Sequence, residues 1–362
     1  MIDLKGKYNI ARVFTDNIDA TSQGQIINLL SNEAFANTKI RIMPDVHAGA
    51  GCVIGFSMEV ADKIVPNLVG VDIGCGVLTV VLDDDFVDVH ELDKVIKQEI
   101  PSGFSIHEDI NEYREYTSSF LNLYSTTVET NVNRAKHSIG TLGGGNHFIE
   151  LGATSRGQYM LFIHTGSRNF GLQIAQAHQK IAKKETGLGD LSYLEGRLKD
   201  NYLHDMKIAQ KYAAENRVAI ANTIISEMKL NPKEMFDTVH NYIDMKDQVL
   251  RKGAVSARKD EKLVIPLNMR DGVIIAKGKG NPDWNNTAPH GAGRLYSRSQ
   301  AKKEFNLEDF KQEMEEVYST SVNESTLDES PMAYKSATEI LQNIKDTVEV
   351  IEVVKPIYNY KA

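Results

Sequence analysis

An α+β fold built as one large domain is what this 362-residue sequence predicts, and three observations point to it. Strand-type runs open and close the chain, a helix-rich stretch fills its middle, and no regular βαβ alternation joins them. A hydrophobic share of 41% and a charged share of 25% are ordinary for a globular chain and sufficient for a sizeable core. No low-complexity tract or Pro- or Ser-rich linker divides the sequence, so residues 1–362 read as a single domain.

Runs of branched residues ended by Gly, Pro or Asp predict strands over 39–43, 53–60, 78–82 and 159–163. Apolar residues returning every three or four positions predict helices over 89–99, 106–124, 170–184 and 198–229. Strands are expected again over 263–267 and 273–276, then helices over 295–305 and 307–318, and a last helix and strand running through Val354.

The N-terminal segment carries charges throughout, and no stretch approaches the eighteen or so apolar residues of a membrane span, which predicts a cytoplasmic chain with no membrane partner. Two cysteines, Cys52 and Cys75, belong to no CxxC pair and build no disulfide framework. A net charge of -8 argues against general attraction to nucleic acid, so any such site must be local.

The glycines crowd into HAGAGCVIG (47–55), GVDIGCG (70–76), GTLGGGNH (140–147) and HGAGR (290–294), where tight turns or close backbone approach to a ligand are expected. Each cluster also carries a ligand or nucleophile. Asp72 and Cys75 sit three apart in a glycine-flanked turn expected to follow an apolar strand, where carboxylate and thiolate could meet one cation. By itself a cysteine so placed is more often a small buried hydrophobe. His147 and His164 are expected where a strand stops and a loop starts, at the mouth of a sheet, and His240 at the end of a helical stretch; singly each is also readable as a satisfied core histidine. Together the five supply first-shell atoms for two divalent ions if the thiolate bridges them, an arrangement suited to phosphoryl chemistry. Thiolate with imidazole would also suit zinc, so residue types alone leave the metal open.

His290 has small neighbours that leave room for a phosphate, and a helix beginning there would aim its amides at an anion. An imidazole nitrogen attacks phosphorus when a partner fixes the other nitrogen, and Asp45 is a plausible partner. A phosphate-binding loop without covalent chemistry fits the same residues. Arg168, Arg251, Lys252, Arg294 and Arg298 supply the local positive surface.

These motifs, in this order, resemble the RtcB family of RNA-splicing ligases: PDVHAGAG, GVDIGCG, GGGNHF, HTGSR, HNY, RKGA and HGAGR, with ESPMAYK (329–335) and the last lysine, Lys361. The resemblance runs from about Arg41 to the C-terminus. It implies a single large domain whose mixed β-sheets form a deep metal-binding cleft surrounded by helices, holding two manganese ions and GTP. Cys75 would bridge the metals, with Asp72 and His147 on one and His164 and His240 on the other. His290, oriented by Asp45, would take GMP from GTP and pass it to an RNA 3′-phosphate, and a 5′-hydroxyl end would then displace GMP. A 2′,3′-cyclic phosphate would first be opened.

The resemblance further implies that Asn146, Phe148, Glu150, Ala292, Gly293 and Lys361 contact the guanylate; of the basic residues near the motifs, Arg168, Lys252, Arg294 and Arg298 are expected at RNA phosphates. The setting would be RNA repair or tRNA splicing, with an activating protein partner left open. Pro266-Leu-Asn-Met269 stands where the family usually has Pro-Gly-Ser-Met, a change on the presumed triphosphate side. Two other readings keep these residues: a dimetal RNA-end phosphoesterase or nuclease that needs no GTP, and an RNA-binding protein without catalysis.

Overall fold

A computed structural model describes residues 1–109 and 126–361. Among these residues the strands form a six-stranded sheet, a seven-stranded sheet and a two-stranded ribbon. The first sheet runs in the order β1 (Ile2–Lys5), β2 (Ile10–Val13), β3 (Ile40–His47), β4 (Ile54–Glu59), β10 (Val249–Lys252) and β9 (Asn241–Asp244). The second runs β12 (Lys262–Asn268), β13 (Gly272–Gly278), β15 (Val348–Lys361), β6 (Phe148–Ala153), β7 (Tyr159–Thr165), β5 (Gly76–Leu82) and β8 (Pro232–Val239). The ribbon joins β11 (Ala254–Ser256) to β14 (Thr287–Pro289).

Helices pack around these sheets, as an α+β chain requires when each sheet face must be covered. Helix α1 (Ala20–Leu30) lies on the first sheet, while α2 (Val89–Glu99) and the 33-residue α5 (Gly196–Met228) cover the second. The short α3 (Val132–Ser138) packs on α4 (Arg168–Thr186), and apolar residues of α4 and α5 join the first sheet's core through Phe170, Ile174, Met206 and Ala209. Further along, Ile220 and Ile224 of α5 pack into the second sheet's core with Leu78, Ile149 and Leu161. One long helix therefore ties both sheets together. None of the described helices is long and apolar enough to cross a membrane.

The strands expected around 39–43, 53–60, 78–82 and 159–163 correspond to β3, β4, β5 and β7, and those at 263–267 and 273–276 to β12 and β13. Helix α2 starts at Val89 because Asp88 accepts from the amides of His90 and Glu91, and α5 ends where Lys229 turns left-handed at φ 53°. Residues 110–124 of the helix expected over 106–124 lie outside the described residues, and 106–109 are not helical.

Four expectations need correction. His240 does not end a helical stretch; it links β8 to β9. β8 escapes sequence reading because it is an exposed edge strand opening on Pro-Lys-Glu, without an alternating apolar face. No helix begins at His290: the chain turns after β14, and α6 (Arg298–Glu304) starts only where Ser297 and Gln300 form a capping box. The Asp72–Cys75 turn precedes a strand, β5, and is itself preceded by a short 3-10 turn at Pro66–Leu68, and His147 likewise stands just before a strand, β6, instead of at the end of one.

Candidate active site

Asp72 and Cys75 are presented by a turn that is bolted on several sides. Gly74 adopts φ +74°, and a Cβ there would stand 2.8 Å from the Gln210 backbone, so helix α5 comes closer than any side chain permits. The Gly74 amide donates to Asn241 O (2.7 Å) and the His240 amide to Cys75 O (2.9 Å). From inside α5, the fully buried Arg217 donates to both Gly74 O and Thr165 O, each at 2.8 Å, while Asp237 balances its charge at 2.5 Å. The turn and the end of β7 are thereby held together.

The side chains converge. His147 Nε2 lies 2.9 Å from Asp72 Oδ2 and 3.7 Å from Cys75 Sγ. His164 Nε2 lies 3.3 Å from the same sulfur and 3.4 Å from His240 Nε2. Two triads result, Asp72–Cys75–His147 and Cys75–His164–His240, each with donor atoms within 4.8 Å of one another and with Cys75 common to both.

Second contacts fix the tautomers. His147 Nδ1 is 2.9 Å from Leu142 O and His164 Nδ1 is 3.1 Å from Asn146 O, and a carbonyl only accepts, so these nitrogens carry the protons. The His164 Nε2 lone pair is left facing the cluster, as in a metal site oriented by a carbonyl partner, while His147 Nε2 faces the Asp72 carboxylate. Burial works to raise the Asp72 carboxyl, yet the hydrogen bond and charge of His147 outweigh it and hold it at about 2. Burial, then the Asp72 charge, pushes the Cys75 thiol well above its ordinary value. Burial also drives His164 and His240 well below theirs, so neither is protonated near neutrality. A half-buried carboxylate, a buried thiol and imidazole nitrogens at these separations are what a divalent cation would compensate, and the residues fit that group.

Beside the cluster opens a cleft of about 780 Å³ whose wall includes His164. His290 lines it, with its ring centroid 4.8 Å from that of His240. The ring's Nδ1 and the His290 amide both donate to Asp45 Oδ2, at 2.6 and 3.1 Å. Asp45 is fully buried, and Gly293 (φ +76°) lets the HGAGR turn press on it, since a Cβ there would lie 2.3 Å from Asp45 O. Asn146, Phe148, Glu150, Ala292, Gly293 and Lys361 all line the same cleft. Glu150 accepts from Asn359 (2.7 Å), and burial raises its carboxyl to about 8 against the pull of that bond and of Lys361. The Pro266–Met269 segment forms another part of the wall, with Asn268 occupied by hydrogen bonds to Arg270 and Asp271.

The basic residues divide. Arg294 and Arg298 reach the cleft, but the buried Glu329 gathers them (3.2 and 2.7 Å) together with Lys361 (2.7 Å) and the Tyr334 hydroxyl (2.7 Å). Arg168 is half-buried behind the glycine loop, donating to Thr141 Oγ1 and Gly103 O. Lys252 is corrected from phosphate contact to a buried clasp, its amine donating to Ala50 O (2.5 Å) and Cys52 O (3.0 Å). Arg251 is likewise fully buried, paired with Asp244 at 3.0 Å. Adjacency in sequence to a glycine motif says nothing of which face of β10 a side chain takes, and both side chains of that pair are buried.

Sequence reasoning passes over Arg217 and gives no role to the two ends of ESPMAYK: Glu329, and Lys335, whose amine donates to Asn17 O and, at 2.8 Å, to Pro44 O beside Asp45. An arginine among alanines and isoleucines of a helix, as Arg217 is, was the available signal.

The model of the family described as tRNA-splicing ligase RtcB matches residues 25–362 of the chain. Over 385 aligned residues the chain is 31% identical to the RNA-splicing ligase RtcB of Escherichia coli strain K12, covering 94% of each. It is 29% identical to the tRNA-splicing ligase RtcB of Aeropyrum pernix, covering 83% of each. A second Escherichia coli protein, RNA-splicing ligase RtcB2 of strain ATCC 25922, is 28% identical over 83% of this chain and 81% of its own.

Proposed function

The chain belongs to the RtcB family, and from that premise we propose that it is an RNA ligase that uses GTP, manganese and a histidine–GMP intermediate on His290. The observation that carries this reading is the position of His290, between the dimetal-type cluster and an open cleft, with Nδ1 committed to Asp45 at 2.6 Å. That commitment leaves Nε2 with the lone pair, the state a nitrogen nucleophile needs.

His290 Nε2 attacks the α-phosphorus of GTP, a nitrogen–phosphorus bond forms and pyrophosphate leaves. An oxygen of the RNA 3′-phosphate then takes the guanylate from His290, giving a 3′–5′ pyrophosphate cap. The 5′-hydroxyl of the second strand attacks the RNA phosphorus, closes the phosphodiester and expels GMP, its proton passing to solvent. A 3′-phosphate is a poor electrophile until capped, which is why nucleotide must be consumed. A 2′,3′-cyclic end must first be opened by water.

Two divalent ions would be held by Asp72, Cys75 and His147 and by Cys75, His164 and His240, where they would neutralise phosphate charge and polarise reacting oxygens. Asn146, Phe148, Glu150, Ala292, Gly293 and Lys361 surround the nucleotide in this reading, and Arg294 and Arg298 meet phosphate at the mouth. RNA repair or tRNA splicing is the setting it suggests.

Incubation with manganese and α-labelled GTP tests it. Acid-labile label on the wild type and none on His290→Ala is expected. Absence of label with RNA-end hydrolysis proceeding would replace this reading with a phosphoesterase.

A further inference from the structure

Resting on the RNA-ligase reading, we propose that Phe104 is a stacking platform for a nucleobase of the RNA strand led to the cleft. Phe104 is 96% exposed, against 74% for Phe86 and 64% or less for the other exposed large apolar residues among those described. Single exposed apolar side chains are ordinary on a protein surface, so exposure alone argues little. What distinguishes Phe104 is the rigidity beneath it.

The Ser105 amide closes a turn onto Ser102 O (3.1 Å), and the Gly103 amide donates to Gly143 O (2.9 Å). Leu142 donates to Pro101 O (2.9 Å), so residues 101–105 are zipped to the glycine loop. Two guanidinium groups secure the same turn, Arg168 to Gly103 O and Arg134 to Phe104 O, both at 3.2 Å. The backbone that carries the ring is therefore anchored on both sides of Phe104.

Placement supplies the occupant. Gly143 lies three residues before Asn146 and four before His147, which reach the cleft and the metal-type cluster. On the other side of the triple glycine stands Arg298, 3.9 Å from where a Gly145 Cβ would be. A planar apolar face beside Arg134 and Arg168, with Arg298 across the glycine loop, offers a base its stacking partner and the adjoining phosphates their cations. Phe86 offers the contrast, since it follows Asp83, Asp84 and Asp85, a setting that repels a polyanion.

The test measures the affinity of the full chain for a fluorescein-labelled single-stranded RNA ending in a 3′-phosphate, by anisotropy. Phe104→Ala should weaken binding about tenfold, and Phe104→Trp should stay within about twofold of wild type, as stacking predicts. Phe86→Ala should change nothing, and GMP labelling in the absence of RNA should be the same in all variants. Unchanged RNA affinity in Phe104→Ala overturns the proposal, as does equal loss in Phe86→Ala. So does a shift in oligomeric state with RNA affinity intact, which would mark the ring as a chain-to-chain contact. Failure of the underlying ligase reading shows separately, as wild type that takes no label.

Discussion

Asp45 Oδ2 accepts from both Nδ1 and the backbone amide of His290, at 2.6 and 3.1 Å, so one buried carboxyl oxygen fixes the ring and the chain that carries it. Asp45→Asn keeps the shape but puts an amide that can donate where only an acceptor serves, allowing the ring to flip its proton to Nε2. Self-guanylylation should fall on the order of 10²–10⁴-fold, the range seen when a catalytic histidine loses its tautomer partner. Initial rates of label incorporation measure it, and a loss under about threefold would show that Asp45 is dispensable for orientation.

Cys75 is common to both triads, whereas His147 and His240 each belong to one. After dialysis against manganese, elemental analysis should find about two ions per chain in the wild type and about one in His147→Ala, with little metal in Cys75→Ala. Equal metal content in Cys75→Ala and wild type would remove the bridging role.

The Glu150 carboxyl, raised by burial to about 8 from an ordinary 4.5, binds its proton more tightly folded than unfolded. Between those values the native state holds more protons, so stability should decline as pH rises from about 5 to about 8 and level off beyond. Glu150→Gln should flatten that slope and gain relative stability at pH 8. Melting temperatures across this range check the sign, and parallel curves would exclude Glu150 as its source.

Glu329 shows the opposite shift. Burial would raise its carboxyl, but Lys361, Arg298 and Arg294 hold it at about 2, so its stabilisation is present above the ordinary 4.5 and is lost only as pH falls toward 2. Glu329→Gln should cost roughly 3 kcal/mol at neutral pH, because it leaves the buried Lys361 ammonium without its counter-charge. Chemical denaturation measures this, and a change below about 0.5 kcal/mol would show that the cations repair each other through Asp328.

Much of the site was legible because metal ligands and nucleophiles need particular atoms that only a few residue types supply, and the glycines beside Asp72, His147 and His290 marked where backbone must approach closely. The periodic helices were legible too, as α2 and α5 show, since each buries one face along its length. Lys252 and Arg251 were misjudged because their charge is visible in sequence while their burial depends on β10 lying between β4 and β9. His240 was assigned to a helix end for the same reason: an edge strand like β8 has no periodic apolar face to announce it.

The sequence by itself determined the donor types, the glycine turns and the family. Only the tertiary structure decided that Asp72, Cys75, His147, His164 and His240, spread over 169 residues, meet within a few ångströms, and that Glu329 rather than solvent faces Lys361. Chemistry is written in single residues, but convergence is a property of sheet register and of the helix, α5, that clamps the turns together.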